Sequence, residues 1–97
     1  MKRSEMNEHQ KAAFDRVCAE MSEIIGANEN NMMDYPVNSE AYQQSAEFLS
    51  QPREVLIDYI YSSVMAASDK KTEKHLRFAG KKFIVERIDR RLAKWGY

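Results

Sequence analysis

The chain of 97 residues is 43% hydrophobic and 31% charged, with three Gly and two Pro, a composition that excludes a disordered or fibrous protein and is typical of a helical domain. Its longest apolar stretches, Val55 to Ile57 and Val64 to Ala67, are far shorter than the ~20 residues that a membrane span needs. No apolar run follows the N-terminus, and the single cysteine cannot form an internal disulfide. We therefore expect one cytoplasmic domain over residues 1–97, with no signal peptide and no membrane partner.

The first helix is predicted from apolar residues that recur at three- and four-residue steps, among them Phe14 and Met21. Ser4 is a candidate N-cap for it, and Gly26 is a candidate stop. The Asn-rich stretch that follows, up to and beyond Pro36, sustains neither a helical nor a strand period. This stretch is therefore predicted to be a loop.

Three further helices follow this loop. Pro52 stands in the first turn of the third helix, where a proline is tolerated, and Gly80 can bend the fourth. Candidate N-caps are Asn38 or Ser39 for the second helix and Ser68, Asp69 or Thr72 for the fourth. The predicted helices cover about 4–25, 39–49, 52–67 and 70–94, with the loop over 26–38.

The fold class that follows is all-α, a compact bundle of three to four helices with the third helix central. Apolar side chains surround most of this third helix, which places it in the core or in an interface. Tyr61 and Val64 lie off its main stripe and are candidate partner contacts, so the oligomeric state stays open between monomer and homodimer. The predicted core consists of Phe14, Met21, Leu56, Tyr59, Ile60, Phe83, Ile88 and Leu92.

Charge is distributed unevenly along the chain, although the formal net charge is zero. Residues 1–69 hold five Lys and Arg against twelve Asp and Glu, a net charge of −7. Residues 70–97 hold ten Lys and Arg against three Asp and Glu, a net charge of +7. The last quarter of the chain is therefore the part best suited to bind a charged partner.

The basic fourth helix, 70–94, supports three interpretations. Its cations can be solvated or paired with acids such as Glu54 and Asp58, they can serve a protein partner, or they can follow a phosphate backbone. One row of cations recurs at three- and four-residue steps, and a second cluster, which also contains Arg90, lies nearer the C-terminus. The candidate partner-binding residues on this helix are Lys74, Arg77 and Lys81 in the row, and Arg87, Arg91 and Lys94 in the cluster.

No residue pattern points to catalysis or to a cofactor. His9 and His75 lie in different predicted helices without the further ligands of a zinc site, and no Gly-rich phosphate loop is present. Cys18 shares the apolar stripe of the first helix and is expected to behave as a small buried hydrophobe. We expect no enzyme activity, no catalytic residues, no cofactor and no metal.

Three short pieces of sequence resemble the theta accessory subunit of bacterial replicative DNA polymerase. They are Asp15 to Val17, Pro36-Val37 and Gln51 to Leu56, about a tenth of the chain. That family consists of small helical proteins that bind a proofreading subunit and have no catalysis of their own. The longer segment between the second and third pieces and the basic fourth helix have no counterpart in the family, so no residue role is transferred.

The function that we predict is that of a small non-enzymatic regulatory or accessory module that binds a protein partner. The alternative is a nucleic-acid-binding protein that uses the basic helix 70–94.

Overall fold

Five α-helices and one short 3-10 turn make up the structure, a computed structural model that describes all 97 residues. The all-α prediction is confirmed, although the bundle has five helices instead of three to four. None of the helices combines the length and the apolar composition that crossing a membrane requires. The 3-10 turn covers Arg3–Glu5, and the helices are α1 Glu8–Asp34, α2 Glu40–Leu49, α3 Arg53–Ala67, α4 Lys70–Ala79 and α5 Lys81–Lys94.

Gly80 accounts for the extra helix. It adopts φ +91° and ψ 149°, which lies outside helical geometry and is readily reached only by glycine. The Gly80 N–H still bonds to the carbonyl of Leu76, and the Gly80 carbonyl accepts from Ile84, so one residue ends α4 and starts α5. The single helix predicted over 70–94 is therefore wrong, because the chain turns at this glycine.

Helix α1 passes through Gly26 and continues to Asp34, so the loop predicted over 26–38 is wrong for its first nine residues. A glycine inside a helix costs about 1 kcal/mol, a penalty that tertiary packing readily overrides. Here Ile25 is buried, and the Asn31 side chain donates to the Ser45 hydroxyl of α2 at 3.1 Å. The helix ends just before Pro36, where Tyr35 is extended, as a residue preceding proline usually is.

Side-chain caps define where three of the helices begin. Asn7 caps α1 in a reciprocal capping box with Gln10, so the predicted cap at Ser4 is wrong. Ser39 caps α2, and Asp69 caps α4 by accepting the Thr72 N–H at 2.8 Å. These two caps are among the candidates that the sequence offered.

The core is shared by all helices except α2. Five of the eight predicted core residues lie in it, but Phe14 and Phe83 are only half-buried and Tyr59 is 54% exposed. Helix α3 buries residues at steps of four, which leaves Tyr59 beside the stripe, edge-on to Phe48 of α2. The buried cluster comprises Ala13, Val17, Met21, Ile25, Leu56, Ile60, Val64, Leu76, Ile84, Ile88 and Leu92.

One carboxylate, that of Glu20, is buried and ties α1 to α3. It accepts hydrogen bonds from the Ser63 hydroxyl at 2.6 Å and from the Arg16 guanidinium at 2.7 Å. Arg16 also donates to Ser68, at the start of the α3–α4 connection. These bonds favour the ionised carboxylate, the one from Ser63 most, and they lower the pKa of Glu20 despite its burial.

Candidate binding surfaces

The two candidate contacts on α3 lie inside the protein or against it. Val64 has no exposed surface, because it continues the buried stripe of Leu56 and Ile60 at four-residue steps. The expectation that the Val64 side faces outward is therefore wrong. Tyr61 is half-buried against the core, and the Lys81 ammonium lies 5.0 Å from its ring centroid. The prediction of a homodimer through this side of α3 is therefore not supported, because Val64 is buried and Tyr61 is half-buried within one copy of the chain.

The first predicted row of cations is divided between two helices. Lys74 and Arg77 are exposed on α4, whereas Lys81 begins α5 on the far side of Gly80. The break means that the regular spacing in sequence does not continue along one helix face. These side chains are solvated and lie outside the cleft described next.

The second predicted cluster does come together in space. Arg87, Arg90, Arg91 and Lys94 line one small cavity of about 160 Å³, and Phe14 of α1 forms its apolar wall. We call these five residues the basic cleft. Arg87 and Arg91 are one turn apart on α5, as are Arg90 and Lys94, so two adjacent rows of cations converge on the same space.

Aromatic rings contact two of the guanidinium groups of the basic cleft, those of Arg87 and Arg91. The Arg91 guanidinium carbon lies 5.7 Å from the ring centroid of Phe14 and 5.6 Å from that of Trp95. Arg87 lies 5.2 Å from the Phe83 centroid. Its Nη1 makes one long hydrogen bond of 3.4 Å to the Met1 carbonyl, and its buried Nε has no acceptor within the protein. Both side chains are thus positioned by packing more than by hydrogen bonds.

None of the cations of residues 70–97 takes part in an ion pair. All three ion pairs of the structure draw their cation from the first 69 residues: Arg3 with Asp15, Arg16 with Glu20, and Arg53 with Asp89. The ten Lys and Arg of residues 70–97 form none, and neither do Glu54 and Asp58. The expected pairing of these cations with Glu54 and Asp58 is therefore wrong, whereas the interpretation in which they are solvated stays open beside the two binding interpretations.

A second surface lies where α1 passes the end of α2, in the region that was predicted to be a loop. It is an open groove of about 520 Å³ with a mainly apolar lining, which we call the apolar groove. A helix predicted through residues 26–34 would have revealed this groove. The signal for that helix is the spacing of Ile25 and Met32, which are seven residues, or two helical turns, apart. Its lining residues are Glu29, Asn30, Met32, Met33, Leu49 and Tyr97.

The C-terminal residue, Tyr97, closes one side of the apolar groove. Its hydroxyl donates to the Glu29 carboxylate at 2.6 Å, and the Arg53 guanidinium donates to the Tyr97 main-chain oxygen at 2.8 and 3.0 Å. Burial, followed by the interaction with Glu29, raises the pKa of Tyr97 to about 12. The groove wall is thus anchored to both α1 and α3.

The surroundings of the apolar groove are apolar and acidic. Met33 is 80% exposed, and in the turn after α1 Tyr35 and Val37 expose more than half of their surface. Residues 17–52 contain six Asp and Glu and no Lys or Arg. One carboxylate, that of Glu29, lines the groove, and the Arg53 guanidinium adjoins its wall at Tyr97.

The remaining candidates for chemistry are His9, His75 and Cys18. The Nδ1 atoms of the two histidines lie 2.9 Å apart, and Phe78 stacks on His9. This contact joins α1 and α4, which are far apart along the chain, and it was not predicted from the sequence. Burial raises the pKa of the Cys18 thiol, and this effect outweighs the lowering by the nearby Arg91. The thiol is therefore not activated as a nucleophile. The structure contains no group of three or more His, Cys, Asp or Glu side chains arranged to hold a metal ion.

Comparisons with known protein families, with curated proteins and with solved structures found no match to this chain.

Proposed function

We propose that this protein is a small non-enzymatic accessory module that acts in the cytoplasm by binding a protein partner in the apolar groove. The observation that carries the proposal is the exposure of Met33 at the edge of a mainly apolar groove. Exposed apolar surface costs about 25 cal/mol per Å², and contiguous patches of it mark interaction sites. Methionine is also well suited to such a site, because its flexible side chain adapts to different partners.

The charge around the groove indicates the chemistry of the partner. Glu29 lines the groove, and the segment 17–52 that contributes most of the lining holds six acidic residues and no basic one, a balance that attracts a basic partner even with Arg53 at the groove wall. An amphipathic helix binds an apolar groove by inserting side chains spaced three and four residues apart. The proposed partner therefore presents an apolar helix stripe flanked by Lys or Arg.

Affinity purification from the cells in which the protein naturally occurs tests this proposal. We expect the wild-type protein to retain a partner that Met33→Asp loses, because the variant places a charge in the groove without disturbing the core. Val55→Asp is the matched control: Val55 is an exposed apolar residue that does not line the groove, and the change in charge is the same. Equal retention by Met33→Asp and the wild-type protein contradicts the proposal.

A second candidate function is binding of a nucleic acid by residues 70–94. The observation that favours it is that all ten basic side chains of this segment are free of ion pairs. Such cations can release counterions from a phosphate backbone.

A further inference from the structure

We infer that the basic cleft binds the phosphate backbone of a single-stranded nucleic acid. The inference rests on the second candidate function, the binding of a nucleic acid by residues 70–94. It assigns the binding site to the basic cleft and the ligand to single-stranded nucleic acids. Four cations line a cavity of about 160 Å³, and no acidic residue does. Like charges held so close repel each other, so an anion in the cleft relieves the repulsion and gains four attractions.

The guanidinium groups are oriented for this task before any ligand arrives. The Arg91 guanidinium lies over the rings of Phe14 and Trp95, and none of its N–H donors is hydrogen-bonded to an oxygen or nitrogen acceptor of the protein. Arg87 has five such donors and a single long acceptor contact, to Met1. Phosphate oxygens match the forked geometry of arginine, and side chains fixed in advance lose little entropy on binding.

Carboxylates lie near the basic cleft, but none of them lines it. Asp15, one residue after Phe14, is already paired with Arg3 at 2.9 Å. Glu86, one turn before Arg90, makes no ion pair. Glu29 lies on the other side of Trp95, where it lines the neighbouring cavity and accepts a hydrogen bond from the Tyr97 hydroxyl at 2.6 Å. The lining of the basic cleft itself thus contains cations and Phe14 only.

Trp95 distinguishes a single strand from a duplex. It is 37% exposed, contacts Arg91, and also lines a neighbouring open cavity of about 390 Å³ together with Ser22, Ile25, Gly26 and Glu29. A phosphate in the basic cleft thus has an aromatic ring and open space beside it, where an unpaired base can stack. The bases of a duplex are stacked on each other and cannot use this ring without being flipped out.

The experiment uses the full chain and three probes: a 20-nucleotide oligo-dT, a duplex of the same length, and inorganic pyrophosphate. Trp95 is the only tryptophan, so its fluorescence reports directly on stacking at the proposed site. We expect oligo-dT to quench this fluorescence and to bind with a log-affinity against log-salt slope near −2, about −0.7 for each of three phosphates. Duplex and pyrophosphate are expected to bind at least about tenfold more weakly, because they offer no base to stack.

Variants locate the site. Arg91→Gln and Lys94→Gln should each weaken oligo-dT binding about tenfold, as the loss of one charge-assisted contact does. Lys94 is exposed in the last turn of α5, so its variant tests the cleft at a position where a substitution is expected to change stability little. Lys70→Gln and Lys71→Gln remove the same charge from exposed positions on α4 and should change the affinity less than about twofold.

Three results would overturn the inference. Absence of oligo-dT binding at low salt would reject both the basic cleft as a binding site and the second candidate function. Equal losses in the cleft variants and the α4 controls would keep a diffuse nucleic-acid surface but reject the cleft. Duplex or pyrophosphate binding as tight as oligo-dT, with Trp95 fluorescence unchanged, would reject a single strand as the ligand.

Discussion

Two glycines, Gly26 and Gly80, should respond to alanine in opposite directions. A Cβ added at either position meets no atom within 4 Å, so the backbone alone determines the effect. Gly26 has helical geometry inside α1, where alanine is favoured over glycine by about 0.8–1 kcal/mol. Gly80 has φ +91°, and holding alanine in such a region costs about 1–3 kcal/mol. The two variants should therefore differ in unfolding free energy by about 2–4 kcal/mol.

Urea denaturation followed by circular dichroism at 222 nm measures both effects on the same scale. Gly26→Ala should raise the midpoint and Gly80→Ala should lower it, with unchanged slopes if unfolding stays two-state. A destabilised Gly26→Ala variant would refute the reasoning. It would mean that Gly26 ends the helix in a left-handed conformation, as the sequence alone suggested.

Three further predictions concern the core, the buried carboxylate and the groove wall. Ile60→Ala should cost about 2–5 kcal/mol in urea denaturation, and Tyr59→Ala, at an exposed position, clearly less. A loss below about 0.5 kcal/mol for Ile60→Ala would place α3 outside the core. Because the folded state lowers the pKa of Glu20, its contribution to stability is complete above pH 4.5 and is lost as the pH falls through the lowered value. Carbon-13 NMR titration of Glu20 should give a midpoint below 4.5, and a midpoint at or above that value contradicts the hydrogen-bond assignment. Absorbance titration near 295 nm should show one tyrosine ionising near pH 12 and Tyr97→Phe should abolish that step, whereas its persistence in the variant would assign it elsewhere.

The sequence predicted the elements that depend on local signals. The all-α class, the short sets of cap candidates that contain Ser39 and Asp69, and the burial of Leu56 and Ile60 follow from spacing and short-range hydrogen bonding. Each of these signals lies within about four residues of the place that it determines. They are therefore visible without knowledge of the tertiary fold.

The features that the sequence misplaced depend on contacts between distant segments or on the exact rotation of a helix. Residues 26–34 are helical because they pack against α2, and an Asn-rich stretch gives no sign of that support. Val64 is buried because of how α3 is rotated, which an almost uniformly apolar helix does not reveal.

The candidate surfaces divide in the same way. The cluster of Arg87, Arg91 and Lys94 could be predicted because its members share one helix. Phe14 completes the basic cleft from another helix, and nothing in the sequence pairs it with Arg91. The apolar groove was missed for the same reason, since Leu49 and Tyr97 reach it from elsewhere in the chain.

Photo-crosslinking inside living cells tests most directly whether the protein works by binding a partner in the apolar groove. p-Benzoylphenylalanine would replace Met33 in one variant and the exposed Lys71 of α4 in a control, and both would be irradiated in the native host. We predict a discrete crosslinked protein from position 33 that is absent from position 71, and its sequence should contain a basic amphipathic helix. Crosslinks from position 33 that are absent, or that match those from position 71, would contradict the account.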